Sequence, residues 1–360
     1  MQHLRFWSHS HAYTSKGIIT SPFRKTCSSS ASFAEMSHPI NQASKSSPFG
    51  NLTLEEFYRQ HHILHRESFM LNNHNMKIFT QSWRPASPSA AVHGLVAMIH
   101  GYASESSWVF QLTAVAIAKR GFVVCALDLR GHGRSEGRRG HIPSIGPLVD
   151  DCVAFFGSAR SAHPHLPAFL YGESLGGATA ILVYLREKAG WSGLVLNGAM
   201  CGVSARFKPP WPLEKFLPLA AHVAPSWRVA VTKSLVHQSY REKWVRELVR
   251  RNPRAQKSEH PPAATALELL RVCDEVKRRG SEVAAPLLVL HGERDSVCDA
   301  ESAELVYELA GSQDKTLALV PGMGHQLIGE PAETADLGFE IIFSWLENRA
   351  SSSSGHGGAA

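Results

Sequence analysis

Short apolar runs alternate with longer amphipathic stretches through most of the 360-residue sequence. The apolar runs are rich in Val, Ile, Leu and Ala, as parallel strands that are buried on both faces usually are. They cover residues 94–99, 122–126, 168–171, 193–196, 286–290 and 316–320. The amphipathic stretches predict helices at about 106–119, 146–160, 175–188, 299–310 and 333–348. This alternation predicts an α/β fold in which helices cover both faces of a mostly parallel central sheet.

Two intervals depart from the alternation. Residues 63–71 and 76–83 flank the turn-forming sequence of residues 72–75, and they predict an antiparallel hairpin at the edge of the sheet. From about residue 202 to 282 the sequence contains no convincing strand, although core strands precede and follow this interval. We interpret 202–282 as a helical insertion that forms a cap over the sheet. The cap belongs to a single domain predicted to span residues 51–350.

The first 50 residues differ in composition from the rest of the chain. They are rich in serine and hold five Lys/Arg against Glu35 alone, so they carry +4 of the net charge of +6. Such a segment is typical of an organellar transit peptide or of a disordered tail, and a true start at Met36 is a further alternative. The predicted location is therefore the cytoplasm or a plastid. Residues 351–360, a Ser/Gly tail, are also expected to be unstructured.

Charge and hydropathy argue against several classes of protein. The remaining +2 is spread over the other 310 residues, which leaves too little positive charge for a DNA- or RNA-binding domain. No apolar run approaches the ~18 residues that a membrane-spanning helix needs. The six cysteines lack paired spacing, so they are predicted to be reduced packing residues rather than disulfides or zinc ligands. No nucleotide- or metal-binding motif occurs in the sequence, and neither a metal nor a cofactor is predicted.

A Gly-x-Ser-x-Gly motif carries the strongest chemical signal. It runs from Gly172 to Gly176, directly after a predicted strand and before a predicted helix. In this context, called a nucleophile elbow, the serine occupies a sharp and strained turn whose neighbours must lack a β-carbon. The N-terminus of the following helix favours the negative charge that develops during attack on a carbonyl group. The motif therefore predicts that Ser174 is a nucleophile.

A nucleophilic serine needs a general base, and the base needs an acid that orients it. Asp295 and His325 each follow the end of a later predicted strand, where the carboxyl ends of parallel strands meet. The order Ser174, Asp295, His325 is that of the α/β-hydrolases and differs from the order in chymotrypsin or subtilisin. We therefore predict these three residues as a catalytic triad.

Other acidic and basic residues near strand ends compete for these roles. Asp299 lies four residues beyond Asp295 but precedes a predicted helix, so it is interpreted as a helix N-cap. His100 and His291 each precede a glycine at a strand end, and both are interpreted as turn or core residues. His325 follows the last predicted strand, at the same edge of the sheet as the other strand ends.

Stabilisation of an oxyanion requires two backbone N–H groups that point at the developing charge. One is predicted to be the amide of Leu175, directly after the nucleophile. The other is predicted to be the amide of Tyr102, in the loop after the strand at 94–99. Gly101 precedes Tyr102 and lets the backbone approach a substrate closely.

The sequence resembles the plant monoacylglycerol lipase-like branch of the α/β-hydrolases, which is grouped with the serine aminopeptidase S33-type hydrolases and includes caffeoylshikimate esterase. The segments that carry the resemblance are 78–83, 99–102, 128–135, 172–177, 197–201, 322–325 and 330–331. The resemblance implies an α/β-hydrolase fold with the triad named above and a small lipid or ester substrate. A monoacylglycerol is expected, with a lysophospholipid or a phenolic ester such as caffeoylshikimate as alternatives. Tyr102 departs from the animal enzymes, which usually carry a small residue there.

The sequence allows two environments for the predicted cap, a lipid surface or the interior of the protein. Residues 240–251 combine an apolar helical face with basic residues that lie mainly elsewhere, so this helix either rests on anionic lipid or packs its apolar face inward. Trp211, Phe216 and Leu217 form either a lipid-facing entrance or the core of the cap. Peripheral membrane contact through the cap is therefore one expectation.

Hydrolysis of an ester has two alternatives. The first is acyl transfer to an alcohol other than water. The second is a receptor that binds a small ligand without turnover.

Overall fold

A central sheet with helices on both sides accounts for most of the chain. The computed structural model describes residues 37–208, 212–229, 234–256 and 260–354. The strands are β1 (Ile63–Leu71), β2 (Lys77–Pro85), β3 (Gly94–Ile99), β4 (Phe122–Leu127), β5 (Ala168–Glu173), β6 (Gly193–Asn197), β7 (Leu287–Gly292) and β8 (Lys315–Val320). The α-helices are α1 (Leu54–Gln60), α2 (Phe110–Lys119), α3 (Gly146–Ala162), α4 (Leu175–Arg186), α5 (Leu217–Val223), α6 (Leu235–Ser239), α7 (Lys243–Arg250), α8 (Ala263–Arg278), α9 (Ala300–Leu309) and α10 (Ala332–Ser354).

The strands form one sheet in the order β1-β2-β4-β3-β5-β6-β7-β8. From β4 to β8 along this order all neighbours are parallel. β1 and β2 pair antiparallel with each other, and β2 pairs antiparallel with β4. The mostly parallel sheet and the antiparallel hairpin at its edge are therefore confirmed.

The central strands β3 to β7 are buried along their whole length, which explains why each appears in the sequence as a continuous apolar run. One hydrophobic core lies between the sheet and helices α3, α4, α8 and α9. A second core lies on the opposite face, where α1, α2 and α10 pack. Helices thus cover both faces, as predicted.

The interval between β6 and β7 is helical in the part of the chain that the structure describes. Its helices are α5 to α8, and its strand-like contacts are the isolated bridges Val203–Cys298 and Arg228–Pro262. The second half of α8 departs from the predicted cap at 202–282. Val272 and Val276 are fully buried in the core next to α4, so this half of the helix belongs to the body of the domain.

The N-terminal boundary of the ordered domain lies earlier than predicted. Residues 39–42 form a 3₁₀ helix in which Ile40 is only 4% exposed. His38 stacks on Phe339 of α10, with 3.9 Å between ring centroids. The expectation of an unstructured segment through residue 50 is therefore wrong for residues 37–50, because isolated apolar and aromatic side chains anchor them. Residues 1–36, with the predicted transit segment, lie outside the described residues.

The C-terminal boundary also differs from the prediction. Helix α10 continues to Ser354, so residues 351–354 are helical rather than part of an unstructured tail. The hydroxyl groups of Ser351 and Ser352 donate hydrogen bonds to the carbonyl oxygens of Glu347 and Asn348, at 3.0 and 2.9 Å. These bonds occupy carbonyl groups of the last turns of the helix. Residues 355–360 lie outside the described residues.

Candidate active site

Ser174 lies in the turn between β5 and α4, in a backbone conformation that side chains rarely adopt, with φ 54° and ψ −120°. The turn is closely packed on both sides. A β-carbon on Gly172 would lie 2.3 Å from the carbonyl oxygen of Gly176, and one on Gly176 would lie 2.0 Å from that of Ile99. Only glycine fits at both positions, so the strained turn of the predicted elbow is present.

The three residues of the predicted triad lie in hydrogen-bond contact. The Nε2 atom of His325 is 2.9 Å from the Oγ atom of Ser174, and its Nδ1 atom is 2.6 Å from Oδ2 of Asp295. Asp295 lies in the loop after β7 and His325 in the loop after β8. The fold therefore brings together three side chains that are up to 151 residues apart in the sequence.

Asp295 is held by more than the imidazole of His325. Its Oδ1 atom accepts hydrogen bonds from the backbone N–H groups of Val297 and Cys298, at 2.8 and 3.0 Å. The Nε2 atom of His291 lies 3.2 Å from Oδ2. Burial by itself raises the pKa of Asp295, but the charges and hydrogen bonds of His325 and His291 outweigh burial and hold this pKa well below its usual value. Asp295 therefore remains a carboxylate.

His291 was not predicted to take part in the site. It is the second-last residue of β7, completely buried, and its ring reaches the carboxylate four residues further along the chain. The sequence places His291 and Asp295 near the end of one strand, but their spacing does not specify this contact. The other competing residues behave as predicted: Asp299 caps α9 by accepting a hydrogen bond from the N–H of Ser302 at 2.7 Å, and His100 accepts one from the N–H of Leu129 at 3.0 Å.

The two predicted oxyanion donors belong to segments that adjoin Ser174. Leu175 is the first residue of α4. A β-carbon on Gly101 would lie 3.2 Å from the β-carbon of Ser174, so the loop after β3 approaches the nucleophile closely. The hydroxyl group of Tyr102 donates a hydrogen bond to the carbonyl oxygen of Gly140 at 3.0 Å, which anchors this loop. The use of the Tyr102 and Leu175 amides as donors stays a prediction.

A mostly apolar pocket lies above Ser174 and His325. Its floor comes from the loop after β3 and from the elbow, and its roof comes from the helical cap. The roof includes Leu217 of α5, Leu235 of α6 and Leu269 of α8. Such a pocket suits an apolar acyl chain next to the nucleophile.

Two hydrogen bonds tie the loop after β3 to the cap. The side-chain amide of Asn252 donates to Oε1 of Glu105 at 3.0 Å, and Nε1 of Trp108 donates to the carbonyl oxygen of Leu248 at 2.9 Å. Glu105 lines the pocket and is 1% exposed. Burial, followed by the charge of Asp128, raises the pKa of Glu105 to about 7.

The loop that carries His325 is also tied to the cap. Oε1 of Glu330 accepts a hydrogen bond from the N–H of Gly324 at 2.8 Å, and Arg241 pairs with Oε2 of Glu330 at 3.3 Å. The N–H groups of Arg241 and Glu242 both donate to the carbonyl oxygen of Gly329, at 3.1 and 2.9 Å. The cap therefore braces the histidine loop through side-chain and backbone contacts.

The cap helix proposed from residues 240–251 packs inward. It is helix α7, and its apolar residues Val245 and Leu248 are fully buried. The interpretation as a lipid-facing helix is therefore wrong for this segment. Of the three residues predicted to line an entrance or the cap core, Phe216 is exposed to solvent and Leu217 is buried in the pocket roof. Trp211 lies outside the described residues.

One group of described residues has the spacing of metal ligands. Its three possible ligand atoms lie within 4.8 Å of one another and belong to Asp295, Cys298 and His325. The hydrogen bond between His325 and Asp295 already accounts for two of the three members of this group. The cysteines that the structure describes are buried free thiols, namely Cys125, Cys152, Cys201, Cys273 and Cys298. In the described part of the chain, no helix is both long enough and apolar enough to span a membrane.

The sheet order, the elbow and the contact of Ser174 with His325 define an α/β-hydrolase. Residues 90–332 match the family described as serine aminopeptidase, S33. The chain belongs to this family and is a serine hydrolase.

Several named relatives cover most of the chain. Caffeoylshikimate esterase from Arabidopsis thaliana is 32% identical over 84% of this chain and 91% of its own length. Human monoglyceride lipase is 30% identical over 78% of this chain and 90% of its own length. The crystal structure of a soluble variant of monoglyceride lipase from Saccharomyces cerevisiae matches with a TM-score of 0.69 and 20% identity, over 78% of this chain and 94% of that one. The relatives agree with the expected family, and the structural match agrees with the expected fold.

Proposed function

We propose that this serine hydrolase cleaves the acyl ester of a monoacylglycerol through an acyl-enzyme on Ser174. The observation that carries the proposal is the chain of hydrogen bonds from Ser174 through His325 to Asp295 at the base of a mostly apolar pocket. Ester hydrolysis is the activity named for relatives that align over at least three quarters of this chain. The human relative is named a monoglyceride lipase, which supports this substrate class.

The arrangement supports a two-step reaction. His325 donates its Nδ1–H to Asp295, which leaves Nε2 free to accept the proton of Ser174 as Oγ attacks the ester carbonyl carbon. The N–H groups of Tyr102 and Leu175 stabilise the oxyanion of the tetrahedral intermediate. The intermediate collapses, and His325 gives its proton to the departing alcohol. Water, activated by His325, then releases the acid and restores Ser174.

The second candidate substrate is a phenolic ester of the caffeoylshikimate type. It is favoured by one observation, the 32% identity to caffeoylshikimate esterase over 84% of this chain. An aliphatic and an aromatic acyl group both bury apolar surface, so the apolar pocket suits either one. A direct comparison of substrates therefore decides between them.

The experiment incubates the full chain with 2-oleoylglycerol, lysophosphatidylcholine and caffeoylshikimate and quantifies the released acids. We expect oleic acid from 2-oleoylglycerol and a loss of about 10⁴-fold or more in Ser174→Ala, because the remaining groups provide little catalysis without the nucleophile. Ser161→Ala, at an exposed position of α3, is the matched control and retains activity. Release of caffeic acid instead selects the second candidate.

Two further outcomes point away from hydrolysis. If no acid is released but a fluorophosphonate probe labels Ser174, the serine is competent and an alcohol acceptor is the next reactant to add. If neither release nor labelling occurs, the proposal is wrong and a ligand receptor is the remaining function.

We also propose that the cap touches a membrane surface and that residues 1–36 direct the protein to a plastid. The first proposal is supported by exposed apolar side chains on and next to α5, and the second by the basic, serine-rich composition of the segment. A fusion of residues 1–50 to a fluorescent protein in plant cells tests the second. Cytosolic fluorescence would refute it.

A further inference from the structure

Both apolar and polar side chains line the pocket. Met200, Val203 and Val297 are among the apolar ones: Val203 pairs with Cys298, and the Sγ atom of Cys273 in α8 lies 3.6 Å from the carbonyl oxygen of Met200. Polar residues of the lining include Gln326 and Glu173. Gln326, directly after His325, donates its backbone N–H to the carbonyl oxygen of Ser239 at 3.0 Å, which brings the adjacent Tyr240 near Gln326.

Glu173 is an acidic residue of the pocket lining. It is the last residue of β5, directly before Ser174, and it lines the pocket although it is only 7% exposed. Its Oε1 atom accepts a hydrogen bond from the hydroxyl of Tyr171 at 2.7 Å, and Nδ2 of Asn197 lies 3.5 Å from the same oxygen. Among the residues that the structure describes, Oε2 has no hydrogen-bond partner. Tyr171 therefore holds Oε1 in place, and Oε2 is available to a substrate.

The protonation of Glu173 suits contact with a hydroxyl group. Burial raises the pKa of Glu173 to about 7, against the opposing effects of the Tyr171 hydrogen bond and the charge of His325. Near neutral pH a large fraction of the side chain is a carboxylic acid, which both donates and accepts a hydrogen bond. An alcohol hydroxyl has the same two capacities.

We propose that Glu173 binds a free hydroxyl of the alcohol half of the substrate and so selects esters of polyols over esters of simple alcohols. The alcohol half must lie beside His325, because Nε2 of His325 gives the departing alcohol its proton. Asn197 lies opposite Glu173 in the register of β5 and β6, and a β-carbon on the following Gly198 would lie 3.7 Å from Nδ1 of His325, so the strand end beside Glu173 adjoins His325. A simple alkyl ester leaves Oε2 without a partner in a buried site, which weakens its transition state. The inference rests on the ester hydrolysis proposed above.

The experiment compares pairs of esters that share an acid and differ in the alcohol. One pair is 1-monooleoylglycerol and ethyl oleate, and the other is caffeoylshikimate and methyl caffeate. The variants are Glu173→Met, which keeps the length of the side chain without its hydrogen bonds, and Glu173→Gln, which keeps an acceptor and a donor. Glu304→Met, a partly buried carboxyl of α9 outside the pocket, is the control.

We expect Glu173→Met to lower kcat/KM for the polyol ester roughly 10-fold or more relative to kcat/KM for the simple alkyl ester of the same acid. This is the size of effect that loss of one buried hydrogen bond produces. Glu173→Gln and Glu304→Met retain the selectivity of the unaltered protein. Labelling of Ser174 by a fluorophosphonate probe stays within about threefold in Glu173→Met, which reports an intact elbow.

Equal losses on both esters of a pair, or no loss on either, overturn the role of Glu173. The two pairs separate this inference from the proposed function. If the oleoyl pair is inert and the caffeoyl pair is cleaved, the monoacylglycerol assignment is wrong while Glu173 is still tested. If neither pair is cleaved, both are wrong.

Discussion

His291, a completely buried residue, contacts the acidic member of the triad. Oδ2 of Asp295 receives His325 at 2.6 Å and His291 at 3.2 Å, while its other oxygen receives two backbone N–H groups. A carboxylate with both oxygens hydrogen-bonded has one preferred orientation, and that orientation sets the position of the imidazole. His291 is therefore a positioning residue that acts through Asp295.

We expect His291→Ala to lower kcat roughly 10- to 100-fold with little change in KM, because it removes a hydrogen bond from a buried charge without touching the pocket. His291→Gln, which keeps an N–H donor, restores much of the loss. Steady-state kinetics on one ester with all three proteins measures the effect. A change confined to KM, or the same loss in both variants, would show that His291 serves packing alone.

The elbow and the position of His291 illustrate what can be predicted from the sequence at this scale. Ser174 was predictable because its motif is contiguous and its two glycines meet backbone atoms within the same turn or the neighbouring strand. The contact of His291 with Asp295 depends on how the chain turns after β7, which composition and spacing do not specify. Glu173 was visible in the motif, and Tyr171 lies two residues before it on the same strand, but the contact of both residues with Asn197 follows from the pairing of β5 with β6.

The secondary structure elements differ in how clearly the sequence specifies them. β3 to β7 were predicted to within two residues at each end, since strands buried on both faces must be continuously apolar. Helix α1 was missed although it has a capping box, in which Thr53 and Glu56 exchange hydrogen bonds. The 3₁₀ helix at 39–42 has Pro39 at its first position but no capping box, and contacts with distant α10 help to hold it in place. The contact between Glu105 and Asn252 spans 147 residues and has no local signal either.

The N-terminal segment that packs on α10 makes stability depend on pH through His38. Burial, and next the charges of Lys119 and Arg120, lower the pKa of His38 from 6.5 to about 3. Between these two pH values the unfolded chain binds a proton that the folded chain does not, so the stability of the folded state falls as pH falls through 6.5. Above pH 6.5 both states are neutral at this position and the effect vanishes.

We expect His38→Phe, which keeps a ring on Phe339, to gain about 2 kcal/mol in unfolding free energy relative to the unaltered protein when pH falls from 7.5 to 5. Denaturant unfolding at both pH values measures this difference. His74→Gln, at an exposed turn, is the control and keeps a constant difference. A His38→Phe difference that is the same at both pH values would contradict the buried neutral imidazole.

At the scale of the whole molecule, the cap separates two apolar surfaces. Leu217 of α5 is 4% exposed and lines the pocket, while Leu219 and Val223 of the same helix are 61% and 72% exposed. Phe216 and Trp227 next to the helix are 58% and 74% exposed. A helix with apolar residues on both sides is unusual at a water-facing surface. This one lies between the pocket, which Leu217 lines, and the solvent.

We expect Val223→Ser combined with Trp227→Ser to reduce binding to phosphatidylcholine vesicles roughly 10-fold or more, because each buried apolar side chain contributes about 1.5–3 kcal/mol. Neither residue lines the pocket, so hydrolysis of a water-soluble ester such as p-nitrophenyl butyrate stays unchanged while activity on emulsified monooleoylglycerol falls. Leu309→Ser combined with Leu337→Ser, at apolar positions exposed elsewhere on the surface, is the matched control for vesicle flotation. Equal loss of vesicle binding in the two double variants would mean that lipid contact is nonspecific. Unaltered flotation of the Val223/Trp227 variant would mean that the cap does not meet the membrane, and that the substrate reaches the pocket from solution.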